Sequence, residues 1–287
     1  MDNHLQRLRR LQERNSNYRD ILTLAEKLLE EKSRAKKQGS FPSIPLDPFK
    51  VRIQMEEGFP YLRPVEIPVA PTQVKEYFLG LLKILKEQNP EEHEALRRTM
   101  ENPEFVFDRF LRSLLENCLT ENHLVQELGK EGSLLFFFLV QSLKPTFEFH
   151  AESWRRKQKE LSFVHGFCPF CGGIPGLGEI RQEGRRILHC VLCGTEWEYP
   201  RLKCPYCENE NQEKLTYFQV EGEAGYRVDI CLYCQNYLKT VDSREQEGSL
   251  NWEVEDYLTL HLDHLAQEEG YTRPARLFAE IRQKSPE

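Results

Sequence analysis

The chain has no apolar stretch long enough to cross a bilayer. Its densest run, Leu134–Val140, reads LLFFFLV, far short of the roughly 20 residues a spanning helix needs. The first residues, MDNHLQRLRRLQERN, contain no apolar core and no small-residue cleavage site. No secretory signal is therefore expected, and a cytoplasmic protein without membrane insertion is. Positive charge is not in excess: 39 Lys and Arg stand against 46 Asp and Glu, a net charge of −7, which argues against general attraction to nucleic acid or anionic lipid. No GxGxxG, GxSxG, HExxH or phosphate-loop pattern occurs, so the motif-borne nucleotide, hydrolase and metalloprotease chemistries are missing and no catalytic residue is assigned. Cysteine is scarce in the first 160 residues, where Cys118 stands alone in FLRSLLENCL. There it is expected to be a small core residue.

What the chain does have is two halves of different character. Leu5, Leu8, Ile21, Leu24 and Leu28 recur at helical spacing through residues 1–37. Seven prolines from Pro42 to Pro71 exclude a long helix and predict an extended segment, 38–71, lying on a surface. Helical patterning returns at 72–88, with Thr72 as the expected N-cap, and again at 91–101, 104–118 and 121–144, stopping before Pro145. A last helical piece covers HAESWRRKQKELS. Residues 1–163 thus read as an all-helical domain whose most buried helix holds 134–143. From His165 onward the chain turns to CxxC pairs, glycines and short β-type runs: ILHC, EWEY, KLTYFQV, YRVDI and YLKTV. The tail, 245–287, regains helical spacing through Val254, Leu258, Leu262 and Leu265, with Gly270 as its stop. The expected class is α+β, in several domains.

Eight of the nine cysteines fall between residues 168 and 234, as the pairs Cys168/Cys171, Cys190/Cys193, Cys204/Cys207 and Cys231/Cys234. A CxxC turn sets two sulfurs on one side of a tight knuckle, and two knuckles complete a tetrahedron suited to zinc or mononuclear iron. Dithiol redox chemistry would need one exposed pair in a βαβ setting, and clustered cysteines in a reducing compartment are seldom disulfides. Eighteen residues separate the first two pairs, ten the next two and twenty-three the last two. The first and third pairs lie 36 residues apart and the second and fourth 41, as if one unit were repeated. The repeat favours two four-cysteine ribbon modules, 164–202 and 203–244, although spacing alone leaves crossed pairing open. A cage of four thiolates has no free coordination position, which disfavours catalysis at the metal.

Other constellations are thin. His189, next to Cys190, is expected to stand outside the ligand set or at the surface, because four sulfurs already fill each cage. His261 and His264 read as solvated groups on the last helix. Arg181, Arg185, Arg186, Arg201 and Lys203 make the cysteine region locally basic, chiefly as a solvated face, with an acidic partner or nucleic acid as the alternative.

The motifs CPFCGG, LHCVLCGTEWEYPRLKCPYCEN, DICLYCQNYLKTVD and EEGYTRP resemble the FdhE family of formate dehydrogenase accessory proteins. The likeness extends more weakly upstream through LVQSLKP. All eight paired cysteines match the family's CxxC motifs, as do Trp197, Arg201 and Lys203. The resemblance implies a cytoplasmic, non-catalytic maturation factor with a helical domain and two rubredoxin-like modules, with iron favoured over zinc. It also implies binding to the catalytic subunit of a molybdenum- or tungsten-dependent formate dehydrogenase before export; self-association is left open. Two rival readings use the same cysteines: a nucleic-acid-binding zinc ribbon and a rubredoxin-like electron carrier.

Overall fold

The computed structural model describes residues 19–45, 47–102, 105–156, 163–246 and 250–280. The N-terminal half is helical. Helix α1 (Arg19–Gln38) buries Leu22, Ala25 and Leu28 along one stripe; the leucines expected to precede it, Leu5 and Leu8, lie outside the described residues. The proline-rich segment is not extended throughout. It contains α2 (Pro48–Glu56), which starts where the Asp47 carboxylate accepts from the amides of Phe49 and Lys50, with Pro48 in the first turn. There a proline costs nothing, since its missing N–H would have had no helical partner. The same rule moves the start of α3 (Pro71–Gln88): the N-cap is Ala70, not Thr72, and Pro71 opens the helix. Helices α4 (Pro90–Met100) and α5 (Phe107–Leu115) follow.

The helix expected over 121–144 is two helices. α6 (Glu121–Leu128) ends at Gly129, and α7 (Lys130–Arg155) then runs straight through Pro145. An interior proline costs about 3 kcal/mol, yet every residue from Phe138 to Phe147 is buried. Each large apolar side chain taken from water returns about 1.5–3 kcal/mol, so packing outweighs the lost amide. Phe138, Leu139, Leu143, Phe147 and Trp154 join Phe78 and Leu81 in one core. Cys118 is not part of it. Asn117 takes a φ of 58° and turns the chain out of α5, leaving Cys118 exposed.

The cysteine region forms a six-stranded sheet: β1 (Pro175–Ile180), β2 (Arg186–Cys190), β3 (Glu196–Glu198), β4 (Leu215–Phe218), β5 (Tyr226–Cys231) and β6 (Tyr237–Asp242), in the order β3-β2-β1-β6-β5-β4. Each repeat supplies three antiparallel strands, and the two halves join through the parallel pair β1/β6. At that seam Gly178 lies opposite Thr240, and a Cβ on Gly178 would sit 2.6 Å from the Thr240 hydroxyl oxygen. Only glycine lets the two strands meet there.

The C-terminal helix is broken as well. α8 (Trp252–Leu258) and α9 (Leu260–Glu268) meet at Thr259. At the break the buried ammonium of Lys239 of β6 donates to the carbonyls of Asp256 (2.8 Å) and Thr259 (3.1 Å). α9 lays Leu262 and Ala266 on Val228, Ile230 and Tyr237 of the sheet. Gly270, at φ 86°, ends it as expected.

Two candidate metal centres

All four CxxC pairs fold alike. In each, the amide four residues after the first cysteine donates to that cysteine's carbonyl: Gly172 to Cys168 (2.9 Å), Gly194 to Cys190 (3.1 Å), Glu208 to Cys204 (2.9 Å) and Gln235 to Cys231 (2.8 Å). The amide of each first cysteine donates in turn to the carbonyl five residues on, at Gly173, Thr195, Asn209 and Asn236. The loop closes only if its fourth residue after the first cysteine is left-handed. φ is 71° at Gly172, 65° at Gly194, 58° at Glu208 and 57° at Gln235. Two knuckles use glycine, and two accept strain of about 1–2 kcal/mol each.

The knuckles pair sequentially. Cys168, Cys171, Cys190 and Cys193 form one group and Cys204, Cys207, Cys231 and Cys234 the other, with all sulfurs of a group within 4.8 Å of one another. In the first, Cys168 and Cys171 lie 3.6 Å from Cys193, and Cys171 lies 3.7 Å from Cys190. In the second, Cys204–Cys234 is 3.8 Å and Cys207–Cys231 is 3.7 Å. Four sulfurs about 2.3 Å from a tetrahedral ion stand about 3.75 Å apart, whereas a disulfide needs about 2.05 Å. The eight thiols fit two ions and do not form bridges.

Burial opposes ionisation of the thiols in these cages. It pushes the Cys168 and Cys171 thiols well above the ordinary cysteine range and Cys207 up to about 11. A bound ion would reverse that by holding thiolates. It would supply a four-armed cross-link, and iron in the same cage would add a one-electron couple. The two sites differ in surroundings. All four sulfurs of the first belong to buried residues and share the helical core; Cys207 and Cys234 of the second are half-buried.

Neighbouring segments brace the first cage. The amides of Tyr61 and Leu62, in the proline-rich segment, donate to the carbonyls of Pro169 (2.8 Å) and Phe170 (3.0 Å) inside the first knuckle. The Phe170 ring packs 5.4 Å from that of Trp154. On the other side, Ala279 donates to Gly172 and Ile174 to Leu277, both at 3.0 Å. The same tail segment reaches the fourth knuckle, where the Tyr237 amide donates to the Thr272 carbonyl (3.1 Å) and the Thr272 amide to that of Gln235 (3.0 Å).

Two family models match this region: FdhE, central domain, over residues 167–201, and FdhE, C-terminal domain, over 202–278. The Protein FdhE homolog of Aquifex aeolicus (strain VF5) is 29% identical over 279 residues, covering 96% of this chain and 93% of the relative. Protein FdhE of Escherichia coli (strain K12 / DH10B) is 32% identical over 178 residues, 56% of each. The crystal structure of the FdhE protein from Pseudomonas aeruginosa superposes with a TM-score of 0.63 at 27% identity, across 96% of this chain and 92% of that one. The chain is similar to FdhE proteins over nearly its whole length.

The other singled-out residues are tied up structurally. His189 is buried, and its Nε2 lies 3.1 Å from Glu179 Oε2. Its ring lies 3.7 Å from that of Trp252, so it is neither at the surface nor bonded to sulfur. Trp197 donates to the His165 carbonyl at 3.0 Å. The basic run is not simply a solvated face. Arg186 is buried, Arg181 pairs with Glu179 and Glu196, Arg185 with Glu198, and Lys203 with Glu208 and Glu210. His264 is exposed as expected, but His261 is half-buried against Glu223 at 2.6 Å. Sequence reasoning missed Asp263, which bonds Tyr237, Lys239 and Arg273. A carboxylate on the sheet-facing side of an amphipathic helix was the available signal. No described helix is long and apolar enough to cross a membrane.

Proposed function

We propose that this protein is a non-catalytic, cytoplasmic accessory factor for a molybdenum- or tungsten-dependent formate dehydrogenase, and that it acts by binding the catalytic subunit during maturation. Similarity to FdhE proteins supports the link to formate dehydrogenase. The observation that carries the rest is the closure of both cages. The paired cysteines are gathered into two four-sulfur groups, and such a group leaves a metal no position for substrate. The ions then serve the fold, by holding the two halves of the sheet rigidly against a helical body. Cys168, Cys171, Cys190 and Cys193 would hold one ion, and Cys204, Cys207, Cys231 and Cys234 the other. Iron, which the resemblance favours, and zinc both satisfy such a cage.

The test is capture of the cognate apo-subunit by the metal-loaded protein. Complex formation at submicromolar affinity is expected. Failure to form any complex, together with full formate dehydrogenase activity in cells lacking this protein, would overturn the reading.

A further inference from the structure

A cavity of 160 Å³ opens between the two four-cysteine units, walled by Arg186, Arg201, Lys203 and Arg227 with a single carboxylate, Asp229. That carboxylate is already shared. Its Oδ2 accepts from the Thr240 hydroxyl (2.8 Å), Arg227 (3.4 Å) and Arg186 (3.5 Å). Lys203 is engaged by Glu208 and Glu210, whereas among the described residues no carboxylate pairs with the Arg201 guanidinium. Arg186 is 4% exposed, and although its Nη1 donates to the Lys203 carbonyl at 3.1 Å, its Nε has no hydrogen-bond partner. A buried guanidinium with an unfilled donor is a place where an acceptor is missing. In a chain of net charge −7, this excess of positive charge is local.

The rim says what kind of acceptor fits. Leu202 and Tyr217, both lining the cavity, are each 57% exposed. Among the described residues β4 is the last strand of the sheet and pairs only with β5. A free anion would use the guanidinium groups but gain nothing from exposed leucine and tyrosine beside an open strand edge. A polypeptide segment would use all three.

We propose that this cavity is a carboxylate-binding pocket that receives an acidic, apolar-flanked segment of the partner polypeptide. The proposal rests on the reading that the protein works by holding a partner, and its test separates the two. The probe is an acetylated, amidated peptide alternating leucine and aspartate, titrated calorimetrically into the full metal-loaded chain. Arg201→Glu places opposite charge at an exposed position, away from buried Arg186. The expected result is binding that falls at least tenfold in Arg201→Glu, and equally when asparagine replaces aspartate in the peptide. Capture of the apo-subunit should fall in parallel while metal content stays unchanged. Equal affinity of wild type and Arg201→Glu for the peptide, or binding of inorganic phosphate without peptide binding, overturns the pocket. Undiminished capture of the apo-subunit by Arg201→Glu also overturns it and leaves the accessory role standing; wild type that binds peptide but never the subunit supports the pocket and counts against the role.

Discussion

The amide of Leu62 donates to the carbonyl of Phe170 across 3.0 Å, so the proline-rich segment of the helical half is bonded to the backbone of the first CxxC knuckle. The first cage is thereby continuous with the main core, since Cys168 and Cys171 pack in the same cluster as Trp154 and Phe147. The second cage is held instead by the tail, through the backbone bond from Thr272 to Gln235, and is partly open to solvent at Cys207 and Cys234.

That asymmetry predicts unequal losses. Cys234→Ser should keep one ion per chain and the full helical circular dichroism. Cys168→Ser should lose cooperative unfolding. Structural metal in small modules is worth on the order of 10–16 kcal/mol, against a net stability of about 5–15 kcal/mol for a domain. In a chelator challenge the ion at the second site should leave first, and Cys234→Ser should abolish the fast phase. A faster loss from the first site would contradict the assignment.

The backbone of the knuckles predicts opposite signs for two mild substitutions. Gly194 has φ 65° and open space around an added Cβ. Gly194→Ala therefore costs only left-handed strain, about 1 kcal/mol. Gln235, at φ 57°, has no such freedom, and Gln235→Gly should relieve strain, gaining about 0.5 kcal/mol after the entropy glycine returns to the unfolded chain. Thermal midpoints of the metal-loaded variants, shifted in opposite directions, check both.

These knuckles also show where the sequence was legible and where it was not. Two sulfurs three positions apart are a local signal, and the eight cysteines could be read directly. Which knuckles share an ion depends on hairpins and a seam that spacing does not encode. β1 was hidden because Gly176 and Gly178 carry no strand-forming side chains, and at Gly178 the seam with Thr240 requires that absence. Pro145 suggested a break that burial overrides. The arginines looked like a solvated run because two of their acidic partners, Glu196 and Asp229, come from other strands.

Lys239 is 1% exposed, with its ammonium 2.6 Å from Asp263 and 2.9 Å from Asp256. Asp263 also accepts from the Tyr237 hydroxyl and from Arg273. Asp263→Ala leaves a buried cation and a buried hydroxyl short of acceptors and should cost about 3–5 kcal/mol. Lys239→Met keeps Arg273 between the two carboxylates and should cost less. Urea midpoints of the two variants in that order are the expected outcome.

Glu253 sets an acid limit on the helical interface. Burial opposes its ionisation, but the ammonium groups of Lys144 and Lys32 overcome this and hold its carboxyl down at about 2. Because the folded value lies below the unfolded one of about 4.3, the stabilisation is complete above that unfolded value. It is lost as pH falls toward 2. The difference in unfolding free energy between wild type and Glu253→Gln should shrink from about pH 5 to about pH 2, with a flat difference contradicting the pairing.

The most direct measurement combines metal analysis of freshly purified, folded protein with a count of thiols reacting under native conditions. Two transition-metal ions per chain are predicted, with Cys118, exposed, as the one rapidly reacting thiol until chelation releases the others. Folded protein containing no metal, or disulfides joining the CxxC cysteines, would contradict the account.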